Sequence, residues 1–266
     1  MIPKTIHYCW FGGNPKPKLA ERCIKSWKRY CKGYEIIEWN EDNFDISAAP
    51  LYVRQAYEAK KWAFVSDYVR LWAMVKFGGI YMDTDVEVIK PLDKFLSHEA
   101  LSGFESPTQI PTGLMACREG FPLFAEMLAE YDNIPFVKED GSLDITTNVT
   151  RITNRLLGRG FVPNGEYQVV EGFALYPKDW FCPLDWWDEM RLEKTKNTHT
   201  IHWFSASWFS EEHRRESELR TKELRKKARY YKRKDFFDNL IHTPNRLLIK
   251  LLGAEKYEKL KTKLKG

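Results

Sequence analysis

The spacing of apolar positions changes in an orderly way along the first ninety residues. Thr5 to Phe11 (TIHYCWF) is β-branched and aromatic, and Gly12-Gly13, Pro15 and Pro17 interrupt it, which predicts a strand followed by a loop. Leu19, Cys23, Trp27 and Cys31 then recur every four residues with Ile24 beside them, a helical stripe that Gly33 ends. Tyr34 to Trp39 (YEIIEW) reads as a second strand. From about Val53 to Phe77 the pattern predicts one long helix with the stripe Phe64, Tyr68, Leu71 and Val75, stopped by Gly78-Gly79. Ile80 to Ile89 alternates as a single strand. Elements that alternate in this way predict an α/β sheet.

Between Pro91 and Pro183 short apolar runs mix with Gly and Pro, and only Pro122 to Tyr131 and Thr147 to Leu157 read as helices. His199 to Phe204 (HTIHWF) predicts a further strand. Beyond it the composition turns to helix formers with charge on every side, so the expected division is a globular body over residues 1–210 and a basic helical tail over 211–266. Within that tail Asn245 to Lys265 sets Leu247, Leu248, Leu251, Leu252, Leu260 and Leu264 against many lysines, an amphipathic helix interrupted by Gly253.

Charge sharpens this division. The tail holds 18 Lys and Arg against 9 Asp and Glu, whereas the first 210 residues carry a net −4 within a chain total of +5. Such a body suggests chemistry, and such a tail suggests attraction to an anionic surface. At 266 residues and 43% hydrophobic composition the chain can bury a large core. No apolar run is long enough for a spanning helix, and the N-terminus lacks the features of a secretory signal, so a cytosolic protein is expected. The five cysteines are scattered and form no CxxC pair, which points to reduced packing residues rather than a disulfide framework or a thiolate zinc site.

The strongest chemical signal lies in Ile80 to Ile89 (IYMDTDVEVI). As one strand it places Ile80, Met82, Val86 and Val88 on one face and Tyr81, Asp83, Asp85 and Glu87 on the other. A buried strand carries three acids on one face only where something cationic neutralises them, and a hard divalent cation fits; a strand facing water at a sheet edge would show the same pattern. Upstream, Asp67 and Arg70 lie one turn apart in an otherwise apolar helix and suit either a polar site on the sheet rim or a structural ion pair. Trp10 beside two glycines suits base stacking or a core position, and His202 in an apolar run suits a ligand or a satisfied core histidine.

Four segments in order, IPKTIHYCWFGG, SWKRYCKGYEIIEWNEDNFD, AFVSDYVRLWAMVKFGGIYMDTDVEVIKPLD and IHWFSASW, resemble the DXD-motif glycosyltransferases of family 32, and more distantly the catalytic domain of the large clostridial glucosylating toxins. The resemblance covers residues 1–210, thinly between Phe104 and Thr198. It implies a GT-A fold, a Rossmann-like mixed sheet with flanking helices, together with a nucleotide-sugar donor, a divalent ion (manganese or magnesium) and retention of anomeric configuration. By motif it places Asp85 and His202 on the metal, and Asp83 on ribose and sugar hydroxyls. Asp67 and Arg70 would grip the transferred sugar with Tyr81 beside them, Trp10 would stack on the nucleobase, and Ser207 with Trp208 would cover the β-phosphate. Asn148 in TTNVT receives no role.

These roles imply a UDP-sugar donor and a glycan or lipid-linked acceptor, reached from the inner membrane face through the basic tail. No nucleophile is evident, so the resemblance favours same-face attack assisted by the leaving phosphate. A toxin-like protein acceptor is the second reading. A non-catalytic protein whose tail binds nucleic acid is a third, which the intact set Trp10, Asp67, Arg70, Asp83, Asp85 and His202 disfavours.

Overall fold

The computed structural model describes residues 1–185 and 191–205; Ser207, Trp208 and the segment 211–266 lie outside the described residues. In chain order the elements are Thr5–Cys9 (β1), Lys18–Tyr30 (α1), Glu35–Trp39 (β2), Leu51–Glu58 (α2), Trp62–Phe77 (α3), Gly79–Met82 (β3) and Val86–Val88 (β4). There follow Ala100–Gly103 (β5), Leu114–Cys117 (β6), Pro122–Glu130 (α4), Asn148–Leu157 (α5), Gln168–Val170 (β7) and Phe173–Tyr176 (β8). Lys178–Phe181 (α6), Leu184–Asp185 (β9), Arg191–Leu192 (β10) and Thr200–His202 (β11) complete them.

A seven-stranded sheet in the order β2-β1-β3-β6-β5-β8-β7 forms the centre. The pairings make β2, β1, β3, β5 and β8 parallel to one another, with β6 and β7 reversed. This is the mixed α/β sheet with flanking helices that the resemblance implies. Period-two alternation splits its side chains between two cores. Ile6, Ile80, Met82, Leu114 and Ala116 join Cys23 and Trp27 of α1. Tyr81, Met115, Phe173 and Leu175 join Val65, Leu71 and Met74 of α3 together with α4 and α5. The α1 stripe is therefore a packing face, and Trp27 Nε1 and Ser26 Oγ also bond the backbone of Val86 and Val88, at 2.7 and 2.9 Å, fastening β4 to the helix.

The expected helix over Val53 to Phe77 is two helices. After α2, Lys60 takes a φ of 55°, Lys60 N–H bonds Tyr57 O and Lys61 N–H bonds Ala56 O, which is the paired closure of a Schellman cap. That cap usually rests on glycine, so a lysine there carries no stop signal in the sequence.

The expected strand over Ile80 to Ile89 is also divided. β3 ends at Met82, Val86 N–H bonds Asp83 O at 2.9 Å across a turn through Thr84 and Asp85, and β4 leaves the main sheet to pair antiparallel with β11. Asp83, Asp85 and Glu87 therefore do not share a strand face. Glu87 is instead paired with Arg22 at 3.3 Å and accepts the Trp203 indole N–H at 2.9 Å. The Gly78-Gly79 break is steric: a Cβ on Gly79 would lie 2.6 Å from Thr5 O, and one on Gly78 2.6 Å from Glu119 N. Among the described residues no helix is long and apolar enough to cross a membrane. All five cysteines are free and buried.

Candidate active site

Because five strands of the sheet run parallel, their C-terminal ends meet on one edge, where open α/β sheets bind ligands. Trp10 follows β1 there, Asn40 follows β2, Asp83 follows β3 and Glu105 lies just past β5, while Gly113 immediately precedes the reversed β6.

Asp83 is fastened to the α3 side. Its Oδ1 accepts the Tyr81 hydroxyl at 2.9 Å and lies 3.3 Å from the Arg70 guanidinium, which is also 3.3 Å from Asp67. Arg70 donates further to Thr112 O at 2.7 Å and to its hydroxyl at 3.1 Å, and lies over the Tyr81 ring at 4.6 Å. The guanidinium is thus buried but fully engaged, and the neighbouring carboxylates hold its pKa above the ordinary arginine value against the opposing effect of burial. Burial pushes the Asp67 carboxyl up, and Arg70 offsets this only in part.

Asp67 is held from behind by Asn148, which is completely buried. Asn148 donates from Nδ2 to Asp67 O at 2.7 Å and from its backbone to Oδ2 at 3.3 Å, and its Oδ1 accepts the Tyr131 hydroxyl at 2.7 Å. Asn148 opens α5 after the Thr147 cap, so the helix start aims it at Asp67.

Asp85 belongs to the other layer. The β4–β11 pairing sets His202 opposite Val86, and Trp203 N–H bonds Asp85 O at 3.0 Å. His202 Nε2 then lies 3.2 Å from Asp85 Oδ1, while Oδ2 accepts both the backbone N–H of Ser205 at 2.7 Å and its hydroxyl at 2.9 Å. Burial alone would raise the Asp85 carboxyl; the charge and hydrogen bond of His202 and the two Ser205 donors instead hold it at about 2. Burial disfavours a charged His202, yet Asp85, aided by the Cys182 thiol hydrogen-bonded to the imidazole, raises its pKa well above the usual value. Phe204 stacks on the ring at 4.1 Å, which fixes its plane.

The two layers meet at three side chains: one ligand atom each from Asp83, Asp85 and His202 lies within 4.8 Å of the other two. The absent side chain of Gly113 keeps this meeting point open, since a Cβ there would sit 2.8 Å from His202 Cε1 and 3.0 Å from Asp83 Oδ2. Two carboxylates and an imidazole around such a space fit a divalent cation, which takes oxygen donors readily and accepts a nitrogen in place of one. Ligation through Nε2 would displace the proton that His202 now directs at Asp85.

Trp10 stands apart from this cluster. Half-buried, it lines a cleft of about 840 Å³ with Gly12, Lys16, Glu38, Asn40 and Trp62. Its indole N–H bonds Asn14 O at 2.6 Å, and the Lys16 ammonium lies 5.6 Å from its ring centre and 2.7 Å from Glu38. Of the sequence-derived candidates, Asp67, Arg70, Tyr81, Asp83, Asp85 and His202 come together, Trp10 occupies the cleft, and Ser207 and Trp208 fall outside the described residues. Tyr81 is buried, with its hydroxyl on Asp83 and its face under Arg70. Sequence reasoning missed Thr112, Gly113 and Ser205 and gave Asn148 no part. Only the serine-rich stretch after His202 carried any signal for them.

Residues 17–102 match the family described as the glycosyltransferase sugar-binding region containing a DXD motif, and Asp83-Thr84-Asp85 falls inside that span. The chain is related to the DXD-motif glycosyltransferases. It is 28% identical over 139 residues to inositol phosphoceramide mannosyltransferase 3 of Schizosaccharomyces pombe, a match covering 51% of this chain and 38% of that protein. Similar solved structures include a glycosyltransferase involved in glycosylating the major capsid of PBCV-1, 13% identical with a TM-score of 0.42, covering 83% of this chain and 98% of that one. The galactosyltransferase LgtC is 13% identical with a TM-score of 0.39, over 83% and 94% of the two chains. The PaToxG glycosyltransferase is 19% identical with a TM-score of 0.39, over 48% and 59%. The DXD-motif relationship therefore spans the part of the chain that builds the Asp67–Arg70–Asp83–Asp85 array.

Proposed function

We propose that this chain transfers a sugar from a nucleotide-sugar, most simply a UDP-sugar, to a glycan or lipid-linked acceptor, with retention of anomeric configuration and dependence on manganese or magnesium. The observation that carries this reading is the convergence of Asp83, Asp85 and His202 around the space left by Gly113, beside the buried Asp67–Arg70 pair, on the ligand-binding edge of the sheet. A divalent ion bound there supplies charge that stabilises a leaving diphosphate. Trp10 presents an aromatic ring to a base, Asp67 provides an acceptor for sugar hydroxyls, and Arg70, already engaged, holds Asp67 and Asp83 in place for the sugar. In the reaction the bond from the anomeric carbon to the diphosphate oxygen breaks, a bond to the acceptor oxygen forms on the same face, and the acceptor's proton passes to the departing phosphate. Asp67 and Asp83 are assigned to balance the positive character that develops on the sugar ring.

A donor-hydrolysis screen tests the reading, using UDP-glucose, UDP-galactose, their N-acetyl forms and GDP-mannose with manganese. Hydrolysis of one donor, abolished by chelator and by Asp85→Asn in a protein that still melts cooperatively, is expected. Full activity in excess chelator would remove the metal, and no hydrolysis of any donor would remove the assignment. The basic segment 211–266 is proposed to bring the enzyme to anionic lipid, as a peripheral protein on the inner membrane face making surface polysaccharide such as capsule. Phosphatidylglycerol vesicles should sediment the whole chain in low salt and not a chain ending at Phe209; equal binding by both refutes that role.

A further inference from the structure

The sheet edge continues past the metal-type cluster to a carboxylate that the roles above leave unused. From β3 the edge runs through β6 to β5 and β8, away from the Trp10 cleft, and brings Glu105 and Lys178 into play. Glu105 is half-buried, and its carboxylate feels His202, Lys178 and Asp83. Among the described residues that carboxylate has no hydrogen bond and no ion pair, whereas Lys178 lies 3.4 Å from Asp185. A partly dehydrated, unpaired carboxylate is costly, and burial duly pushes its pKa up.

Its placement is not loose. Phe104 N–H bonds Tyr176 O at 2.9 Å and Glu105 N–H bonds Gln109 O at 3.0 Å, so the residue is held at the start of the β5–β6 loop. The far end of the same loop carries Thr112, which accepts from Arg70, and Gly113, whose carbonyl accepts Asp83 N–H at 2.8 Å. One loop therefore contributes both the support behind Asp83 and Glu105, whose carboxylate lies near enough to His202 and Asp83 to feel their charges.

The charge decides what that carboxylate meets. A bare carboxylate repels a diphosphate, so this end of the edge suits the uncharged, hydroxyl-bearing part of the reaction. With Asp67 given to the transferred sugar on the α3 side, Glu105, further along the edge past β5, is left for the incoming group. We propose that Glu105 is an acceptor-binding residue, taking a hydrogen bond from a hydroxyl of a polyhydroxylated acceptor such as a sugar end. This inference rests on the glycosyl-transfer reading and assigns the acceptor side of that site.

The test measures partition of the donor between water and sugar. The donor that the wild type hydrolyses is offered with methyl glucoside, methyl galactoside, methyl mannoside and lactose, and transfer and hydrolysis are counted in one reaction. Glu105→Ala is expected to lower the transfer-to-hydrolysis ratio about 10- to 100-fold and to raise the acceptor KM, because a hydrogen bond to a charged group is lost. Glu105→Gln keeps the shape and is expected to fall between wild type and Glu105→Ala, with melting curves confirming folded protein. An unchanged ratio in both variants overturns the proposal, as does a wild type that hydrolyses donor but transfers to none of these sugars. Absence of hydrolysis by the wild type is a different failure, since it strikes the glycosyl-transfer reading first.

Discussion

Gly113→Ala places one methyl group where the two carboxylates and the imidazole converge. Its Cβ would sit 2.8 Å from His202 Cε1 and 3.0 Å from Asp83 Oδ2, while ordinary contact begins at 3.4 Å. The ring must therefore move by about 0.6 Å and the oxygen by about 0.4 Å, beyond the roughly 0.2 Å that metal-ligand distances tolerate. Neither group yields easily: the ring is stacked on Phe204 at 4.1 Å and paired with Asp85, and Asp83 is tied through its other oxygen to Tyr81 and Arg70. Gly113 does not have a positive φ, so alanine costs nothing in backbone strain and recovers about 0.4–1 kcal/mol of unfolded-state entropy. Against an overpacking cost of about 1–3 kcal/mol, the net loss of stability is small, a few degrees in Tm. Manganese affinity should fall about 10- to 100-fold, the scale seen when the support of a metal ligand is disturbed. Titration of the protein with manganese, followed by the electron-paramagnetic signal of the free ion and paired with a thermal melt, reads both quantities. Gly158→Ala is the control, because the nearest atom to its Cβ is Arg155 O at 3.8 Å. A folded Gly113→Ala protein that binds manganese as the wild type does would refute the reasoning.

The other expectations follow from individual contacts. Arg70→Ala leaves Asp67 and Asp83 without their shared cation and should cost about 3–5 kcal/mol of stability in denaturant titration, against which an unchanged midpoint would count. Trp10→Ala should weaken binding of free UDP by about 1–3 kcal/mol in calorimetry with little change in Tm; equal affinity would return Trp10 to a packing role. His7 is fully buried, donates from Nε2 to Gly78 O at 2.9 Å and accepts Trp39 Nε1–H at 3.2 Å, and burial lowers its pKa from 6.5 to about 4. Its folded value lies below the unfolded one, so its contribution is complete above about pH 6.5 and is lost as pH falls toward 4, about 3 kcal/mol in all. His7→Gln should therefore flatten the stability profile between those two pH values relative to the wild type, and parallel profiles would contradict it.

Legibility of the sequence followed how local each determinant was. β1, α1 and β2 were readable because stripe, break and strand each lie within a dozen residues. The cap after α2 was not, because Lys60 adopts a glycine-like φ without being glycine. The β3–β4 division was hidden by an alternation that runs unbroken through Asp83-Thr84-Asp85, while the pairing of β4 with β11 is decided by a segment more than a hundred residues away. The acids and His202 were singled out because charge in an apolar run is conspicuous in any sequence. Asn148, Thr112 and Gly113 act through hydrogen bonds and through absent volume, and neither property has a period.

The turn at Thr84 explains why two aspartates one residue apart occupy such different surroundings. Asp83 keeps the alternation of β3 and so follows Tyr81 into the α3 layer, where Arg70 and the Tyr81 hydroxyl hold it. Asp85 comes after the turn and joins the layer built on α1, β4 and β11, where His202 and Ser205 hold it. Had the strand continued without the turn, both carboxylates would lie on the α3 side, and His202, which reaches the edge only through the β4–β11 ribbon, would have no carboxylate partner of its own. The site therefore lies on the seam between two cores, with one aspartate anchored to each. A core substitution under α3 should disturb Asp83 and Asp67 before Asp85, and one under α1 the reverse, because interior packing transmits displacement within a layer more directly than across the sheet. Trp27 makes the coupling explicit: its indole bonds Val86 O, the residue after Asp85, so the stripe that looked like packing alone in the sequence also positions one side of the cluster.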